Sequence, residues 1–146
     1  MIHDVSTDAD DPPQFFALRD VRLKCRNGLE YSGLRGAQHR QRYPDLAPAL
    51  FTHPPGKIFQ AALFVANALH WNIAAAVESE GRIEATATTP LLRFKDDVVI
   101  RIRENNSGTR LDIRSASRIG SSDFGANAKR IRAYLQDINN CLKTNS

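Results

Sequence analysis

The side chains best equipped to hold a ligand are concentrated in one run, Arg114-Ser-Ala-Ser-Arg-Ile-Gly-Ser-Ser-Asp-Phe-Gly-Ala-Asn-Ala-Lys-Arg130. Three arginines, four serines, Asp123 and Asn127 fall within it, more polar groups than packing requires. Guanidinium forks match carboxylates and phosphates, and fixed acceptors such as Asp112, Asp123 and Asn127 would orient them. A helix beginning after Gly120–Gly125 would add free N–H groups that favour negative charge. The pattern predicts recognition of an anionic group. The ligand-binding candidates are Arg114, Ser115, Ser117, Arg118, Ser121, Asp123, Asn127 and Arg130, joined by Arg101 and Asp112. The competing structural reading has Asp123 capping the helix, the serines closing the loop and the arginines pairing with internal acids.

Other chemistries fare worse. Gly120-x-x-x-x-Gly125 has the spacing of a phosphate loop, but Ala126-Asn127 stands where Lys-Ser/Thr is needed, which argues against nucleotide hydrolysis. Asp123-Phe124-Gly125 spells a kinase motif without the His-Arg-Asp loop that would accompany it. Asp96-Asp97 is a paired carboxylate, but neighbours on a strand point to opposite faces and cannot simply share a metal. Together with Asp123 these two support the alternative reading, a small enzyme with carboxyl acid–base groups. His3, His39, His53 and His70 are scattered without zinc spacing, so no metal or cofactor is expected. The basic residues Arg93, Lys95, Arg101, Arg103, Arg110 and Arg114 have only Phe94 interleaved, too little stacking surface for nucleic acid. The expected partner is an anionic small ligand, a lipid headgroup or an acidic protein segment, bound without catalysis.

The elements that must position these residues follow from periodicity. Pro54-Pro55, with Thr52 as cap, precede a helical stripe of Ile58, Ala62, Val65 and Leu69. Alternation then predicts strands. Ile73, Ala75 and Val77 would share a face with Ile83, Ala85 and Ala87 across Ser79-Glu80-Gly81. Asp97–Arg103 and Thr109–Ser117 would flank the Asn105–Gly108 turn, with opposite positions summing to 213. That register sets Arg101 against Asp112, and Arg103 against Arg110. The like-charged pair calls for an acid or an anion nearby. A last helix from about Phe124 carries Ala128, Ile131, Leu135, Ile138 and Leu142. The expected fold is α+β: a four-stranded antiparallel meander with two helices on one face, preceded by a long, mostly irregular N-terminal segment. It would form one domain over residues 1–146, with 1–53 as a wrap and 54–146 as the core.

Bulk composition fits that outline. The 146 residues are 42% hydrophobic and 25% charged, as in globular proteins. The net charge of +4 is unevenly placed. Residues 82–146 hold twelve Lys/Arg against seven Asp/Glu, whereas residues 1–20 hold five Asp and one Arg. An acidic leader and a basic half can attract each other. Cys25 and Cys141 make no disulfide framework and are read as thiols. No apolar run approaches the roughly 18 residues of a membrane span, and the polar start does not look like a secretory signal, so a cytoplasmic location is expected as written.

Five segments carry a family resemblance: Ile2–Asp8 with Asp11-Pro-Pro13, Gln41-Arg-Tyr-Pro-Asp45, Gly81–Thr86, Phe94–Val98 and Arg114–Arg130. Together they resemble the bacterial domain-of-unknown-function family numbered 1499 over nearly the whole chain. The resemblance places Asp96, Asp97, Arg114, Ser115, Ser117, Arg118, Asp123, Asn127 and Arg130 at the family's motif positions. It implies no established activity. Many members carry an N-terminal membrane anchor or transmembrane helices ahead of this domain, which implies a further reading, a scaffold module of a membrane-anchored protein. Some carry a cysteine-containing motif near the start that Cys25 does not reproduce.

Overall fold

A computed structural model describes residues 1–144. In chain order it contains strand β1 (Asp4–Ser6), helices α1 (Arg19–Lys24) and α2 (Gly36–Arg42), strand β2 (Ala49–Phe51) and helix α3 (Pro55–Ala68). Strands β3 (Asn72–Val77), β4 (Arg82–Thr88), β5 (Lys95–Asn105) and β6 (Gly108–Ser117) follow, then helix α4 (Ala126–Thr144). The fold is α+β with one antiparallel sheet in the order β1-β6-β5-β4-β3, and β2 also pairs with β6.

Alternation along β4, β5 and β6 sends Ile83, Ala85, Val98, Ile100, Leu111 and Ile113 to one face. There they pack against Ile58, Ala62 and Val65 of α3 and Ala128, Ile131, Ile138 and Leu142 of α4. Two details of the helices differ from the periodic reading. Tyr134, not Leu135, is the wholly buried residue of the middle of α4. Its ring stacks on Trp71 at 4.9 Å, and its hydroxyl donates to Ala62 O at 2.7 Å, so an aromatic with a polar tip is accommodated in the core. Thr52 does not cap α3; Pro54 occupies the cap position and no side chain caps it.

The β5–β6 register matches the expected sum of 213 at every pair, from Asp96 opposite Ser117 to Asn105 opposite Gly108. The β3–β4 pairing departs from expectation. A bulge between Ile73 and Ala75 shifts the register, so that Ile73 lies opposite Ala85 but Ala75 lies opposite Glu84. An extra residue in one strand reverses which side chains share a face beyond it, and simple alternation does not foresee it.

The sheet has six strands, not four, and the first 53 residues are not the irregular wrap that their turn-rich composition suggests. Two short strands and two short helices order them. β1 pairs with residues 114–116 and β2 with residues 109–111, both on the outer edge of β6, which would otherwise present unpaired N–H and C=O groups. Each is only three residues long, and tertiary pairing rather than periodicity makes it a strand. Val5, Tyr43 and Leu46 from this segment join the helix-side core. Phe15 and Leu18 pack on Val99 and Ala116 of the opposite face.

The β3–β4 connection is a short 3-10 turn, Glu78–Glu80, closed by Gly81 in the left-handed region (φ 60°). A Cβ on Gly81 would lie 2.1 Å from Ile102 O. Gly81→Ala is therefore expected to cost about 2 kcal/mol or more of unfolding free energy in urea titration, combining left-handed backbone strain with displacement of β5. Burial pushes the Tyr134 and Tyr31 phenols well above their ordinary value, and raises Tyr43 as well. The unfolded chain ionises its tyrosines from about pH 10 while the native state resists. Stability is thus full below that pH and declines above it. Tyrosinate absorbance should rise together with loss of helical circular dichroism, not ahead of it.

Candidate functional site

The strand period splits the Arg114–Arg130 run between the two faces of the sheet. On the helix side, Ser115, Ser117, Asn127 and Arg130 meet Asp96. Ser115 Oγ donates to Asn127 Oδ1 at 2.6 Å, and Asn127 Nδ2 donates to Ser117 Oγ at 2.9 Å. Arg130 Nη1 donates to Asp96 at 2.8 Å and to Asn127 Oδ1 at 3.1 Å. Asp123 accepts from Gly125 N–H at 2.7 Å and from Asn127 Nδ2 at 2.8 Å, closing the loop before α4. Ser121 stays exposed on that loop.

The opposite face carries a second series of polar groups beneath the N-terminal segment. Arg114 is almost wholly buried. Its Nε and Nη2 donate to both oxygens of Asp4 at 3.0 and 2.9 Å, and its remaining contacts are Pro13 O and Leu29 O. The guanidinium lies 4.8 Å from the Phe15 ring and 5.5 Å from the Tyr31 ring. Asp97, with no exposed surface, accepts from Arg22 at 3.1 Å, from Thr86 Oγ1 at 2.8 Å and from Arg118 at 2.9 Å. Asp112 is buried and accepts from Thr7 Oγ1, Arg101 and Arg110. Arg110 also reaches Asp8 at 2.8 Å, so the acid that the Arg103–Arg110 pair calls for comes from the N-terminal segment.

Arg114, Arg118 and Arg130 therefore do not converge on one point; each is closed by a carboxylate of its own. Asp96 and Asp97 are turned to opposite faces, as adjacent strand residues must be. Asn127 accepts from Arg130, whereas Asp112 holds Arg101 and Arg110 rather than Arg114 or Arg118. His39 is a buried packing residue. Its Nε2 meets the Ser6 carbonyl at 2.7 Å, and because a carbonyl only accepts, Nε2 carries the proton. Among the described residues no group of three His, Cys, Asp or Glu is placed to hold a metal ion.

Two features had no local signal. Glu84 is wholly buried and accepts the backbone N–H groups of Phe16, Ala17 and Leu18 at 2.8–3.1 Å, as well as Arg82 Nε at 2.9 Å. Its alternation marks the face it occupies, but the partners lie 66–68 residues away in the chain. Arg22 is the largest fully buried side chain, yet nothing around it in the sequence distinguishes it from Arg19 or Arg26. The acidic leader was the only hint that Asp4 and Asp8 meet the basic strands.

Two clefts open on this wrapped face and adjoin at Gln14 and Phe16. The first, about 360 Å³, has Phe15, Phe16 and Tyr31 as walls, with Arg19, Arg35 and Arg114 among its lining. The second, about 350 Å³, is lined by Arg82, Arg101 and Arg103 on the far side of Phe16. Arg35 donates to the carbonyls of Ala9 and Tyr31 and lies over the Tyr31 ring at 4.8 Å. Arg101 Nε is buried without a hydrogen-bond partner among the described residues. Glu30 and Glu80 are the acids at the margins.

The fold and site together define an α+β domain whose sheet is covered by helices on one face and by its own N-terminal segment, through buried ion pairs, on the other. The chain belongs to the family described as Protein of unknown function (DUF1499), whose model matches residues 4–138. Comparison with curated proteins finds no match. Among the described residues no helix is long and apolar enough to cross a membrane.

Breaking the buried network from one side leaves uncompensated charge. Asp97→Ala, which strands Arg22, is expected to lose about 3–5 kcal/mol in urea denaturation. Arg118→Ala leaves Asp97 with Arg22 and Thr86 and should cost only about 1–2 kcal/mol. Glu84→Gln, which cannot accept from three N–H groups and Arg82 equally well, should lose about 2 kcal/mol or more.

Proposed function

We propose that the protein is a non-catalytic binding domain for an anionic ligand, a carboxylate or phosphate attached to an apolar or flat body. The site is the pair of clefts either side of Phe16. The observation that carries this reading is the set of arginines there whose charge no acid closes. Among the described residues Arg19, Arg35 and Arg103 line the clefts without a carboxylate partner, whereas Arg101, Arg114, Arg118 and Arg130 are paired with internal acids. Aromatic walls beside guanidinium groups suit a ligand with one charged end and one apolar end. The anion site of the sequence reading thus moves along the sheet, keeping Arg101 and Arg114 and leaving the loop before α4 as a structural cap.

The acid–base alternative has little support from the geometry. Asp96 and Asp97 are buried and closed by Arg130, Arg118 and Arg22, and Asp123 holds the loop before α4. A general acid or base must come within hydrogen-bond reach of its substrate.

The test is an amide NMR titration of the whole chain with inorganic phosphate, citrate and benzoate. Saturable shifts confined to residues 12–19, 29–35 and 80–82 and 99–103 are expected for at least one anion. Arg19→Ala with Arg103→Ala should abolish them, with a melting temperature change worth no more than about 0.5 kcal/mol, since neither side chain holds the fold together. Shifts that are absent with all three anions, or that survive in the double variant, overturn the assignment.

A further inference from the structure

The end of the sheet remote from those clefts presents a different surface. Asp96 pairs with Ser117, and Arg118 N–H donates to Lys95 O at 3.0 Å, so the β4–β5 loop (89–94) and the β6–α4 loop (118–125) lie side by side. Both display large apolar side chains to water. Leu91 is 89% exposed and Phe124 is 92% exposed, with Leu92, Phe94 and Ile119 also outside the core. A cluster of this kind on one end of a domain marks an interaction surface.

These loops are held in place. Thr89 N–H donates to Phe94 O, Phe94 N–H donates to Thr89 Oγ1, both at 2.8 Å, and Arg93 N–H donates to Thr89 O at 3.1 Å. On the other loop, Asp123 N–H donates to Ile2 O at 2.8 Å and Phe124 N–H to Ser122 Oγ at 3.2 Å. Arg93 and Phe124 adopt left-handed backbone (φ 58° and 51°), which is unfavourable for side chains of that bulk. Phe124 thus accepts backbone strain in order to project an aromatic ring into solvent.

The charges around the cluster have one sign. Arg93 and Lys95 sit within the first loop, Lys129 lies on the first turns of α4, and Arg26 is next to Asn27, whose Nδ2 donates to Gly120 O. All four are exposed, and none is in an ion pair among the described residues. The carboxylates at this end, Asp96, Asp97 and Asp123, are turned inward on Arg130, Arg118 and the start of α4. Protruding Leu, Phe and Ile tips collared by Lys and Arg match a partner that is soft, apolar beneath and anionic on top.

We propose that this end of the sheet docks on an anionic lipid bilayer, with Leu91, Leu92, Phe94, Ile119 and Phe124 entering the headgroup–acyl boundary and Arg26, Arg93, Lys95 and Lys129 resting on the lipid charges. The site is separate from the paired clefts and does not depend on their ligand. The experiment is flotation of the whole chain with vesicles of phosphatidylcholine alone or mixed with phosphatidylglycerol, at low and high salt. The wild type is expected to float with the mixed vesicles, less so at high salt, and to remain behind with phosphatidylcholine. Leu91→Ser with Leu92→Ser should weaken partitioning about tenfold or more, because two apolar side chains no longer leave water. Both positions are exposed, so the melting temperature should hold. Phe124→Gly provides a second readout: relieving the left-handed backbone should raise the melting temperature while vesicle binding falls. A wild type that ignores anionic vesicles at low salt, or a double serine variant that floats as well as the wild type, overturns the proposal and leaves a protein partner as the occupant of this surface.

Discussion

A carboxylate taken out of water must be given back its hydrogen bonds, and on one face of this sheet that requirement is met repeatedly. Glu84, Asp97 and Asp112 are all buried on the same side of β4, β5 and β6, and Asp4 is buried against Arg114 beside them. None can be satisfied by the sheet's own ladder, because backbone N–H groups there are already paired along the strands. Side chains of the sheet, Arg82, Thr86, Arg101 and Arg110, supply some of the bonds, and the rest arrive from elsewhere in the chain. They come as the N–H groups of residues 16–18, as Arg22, and as Thr7 and Asp8 bound around Asp112 and Arg110. The N-terminal segment is thereby drawn across the face and held in one position, since a buried ion left unpaired costs several kcal/mol.

That constraint explains why so little apolar surface suffices on this side. Phe15, Leu18, Val99 and Ala116 form only a small cluster, against the large helix-side core. Directional bonds replace bulk burial there, and they position the segment more specifically than a greasy contact would. The same segment serves the sheet edge. β1 and β2 meet β6 end to end, so the strand most central to the polar network has no open flank.

The arrangement also sorts the arginines by role. Where a guanidinium lies beneath the segment or under α4, as with Arg22, Arg114 and Arg130, an acid closes it and the pair is part of the scaffold. Where it lies at the segment's margins, as with Arg19, Arg35 and Arg103, it lines a cleft and no acid among the described residues pairs with it. Two surfaces then stand apart on one framework: the arginine-lined clefts beside Phe16, and the apolar loop tips at the other end of the sheet.

The helix-side architecture was legible in the amino-acid sequence because it rests on short-range periodicity. The stripe Ile58–Ala62–Val65, the alternation of Val98, Ile100 and Ile102, and the sum of 213 between β5 and β6 all follow from rules that span a few residues and one turn. The face of each polar residue was legible too, since strand alternation alone separates Asp96 from Asp97. Partnership was not. Glu84 finds residues 16–18, Arg114 finds Asp4 and Arg110 finds Asp8 across more than sixty residues of chain, and every one of these acids and bases looks the same in sequence as a solvated surface charge. Likewise β1 and β2 are strands only because the edge of β6 is there to pair with them. Local pattern determined which way the side chains of β4, β5 and β6 point, though not those beyond the β3 bulge; only the tertiary fold decided which charge neutralises which, because that outcome depends on distances between segments that no local pattern encodes.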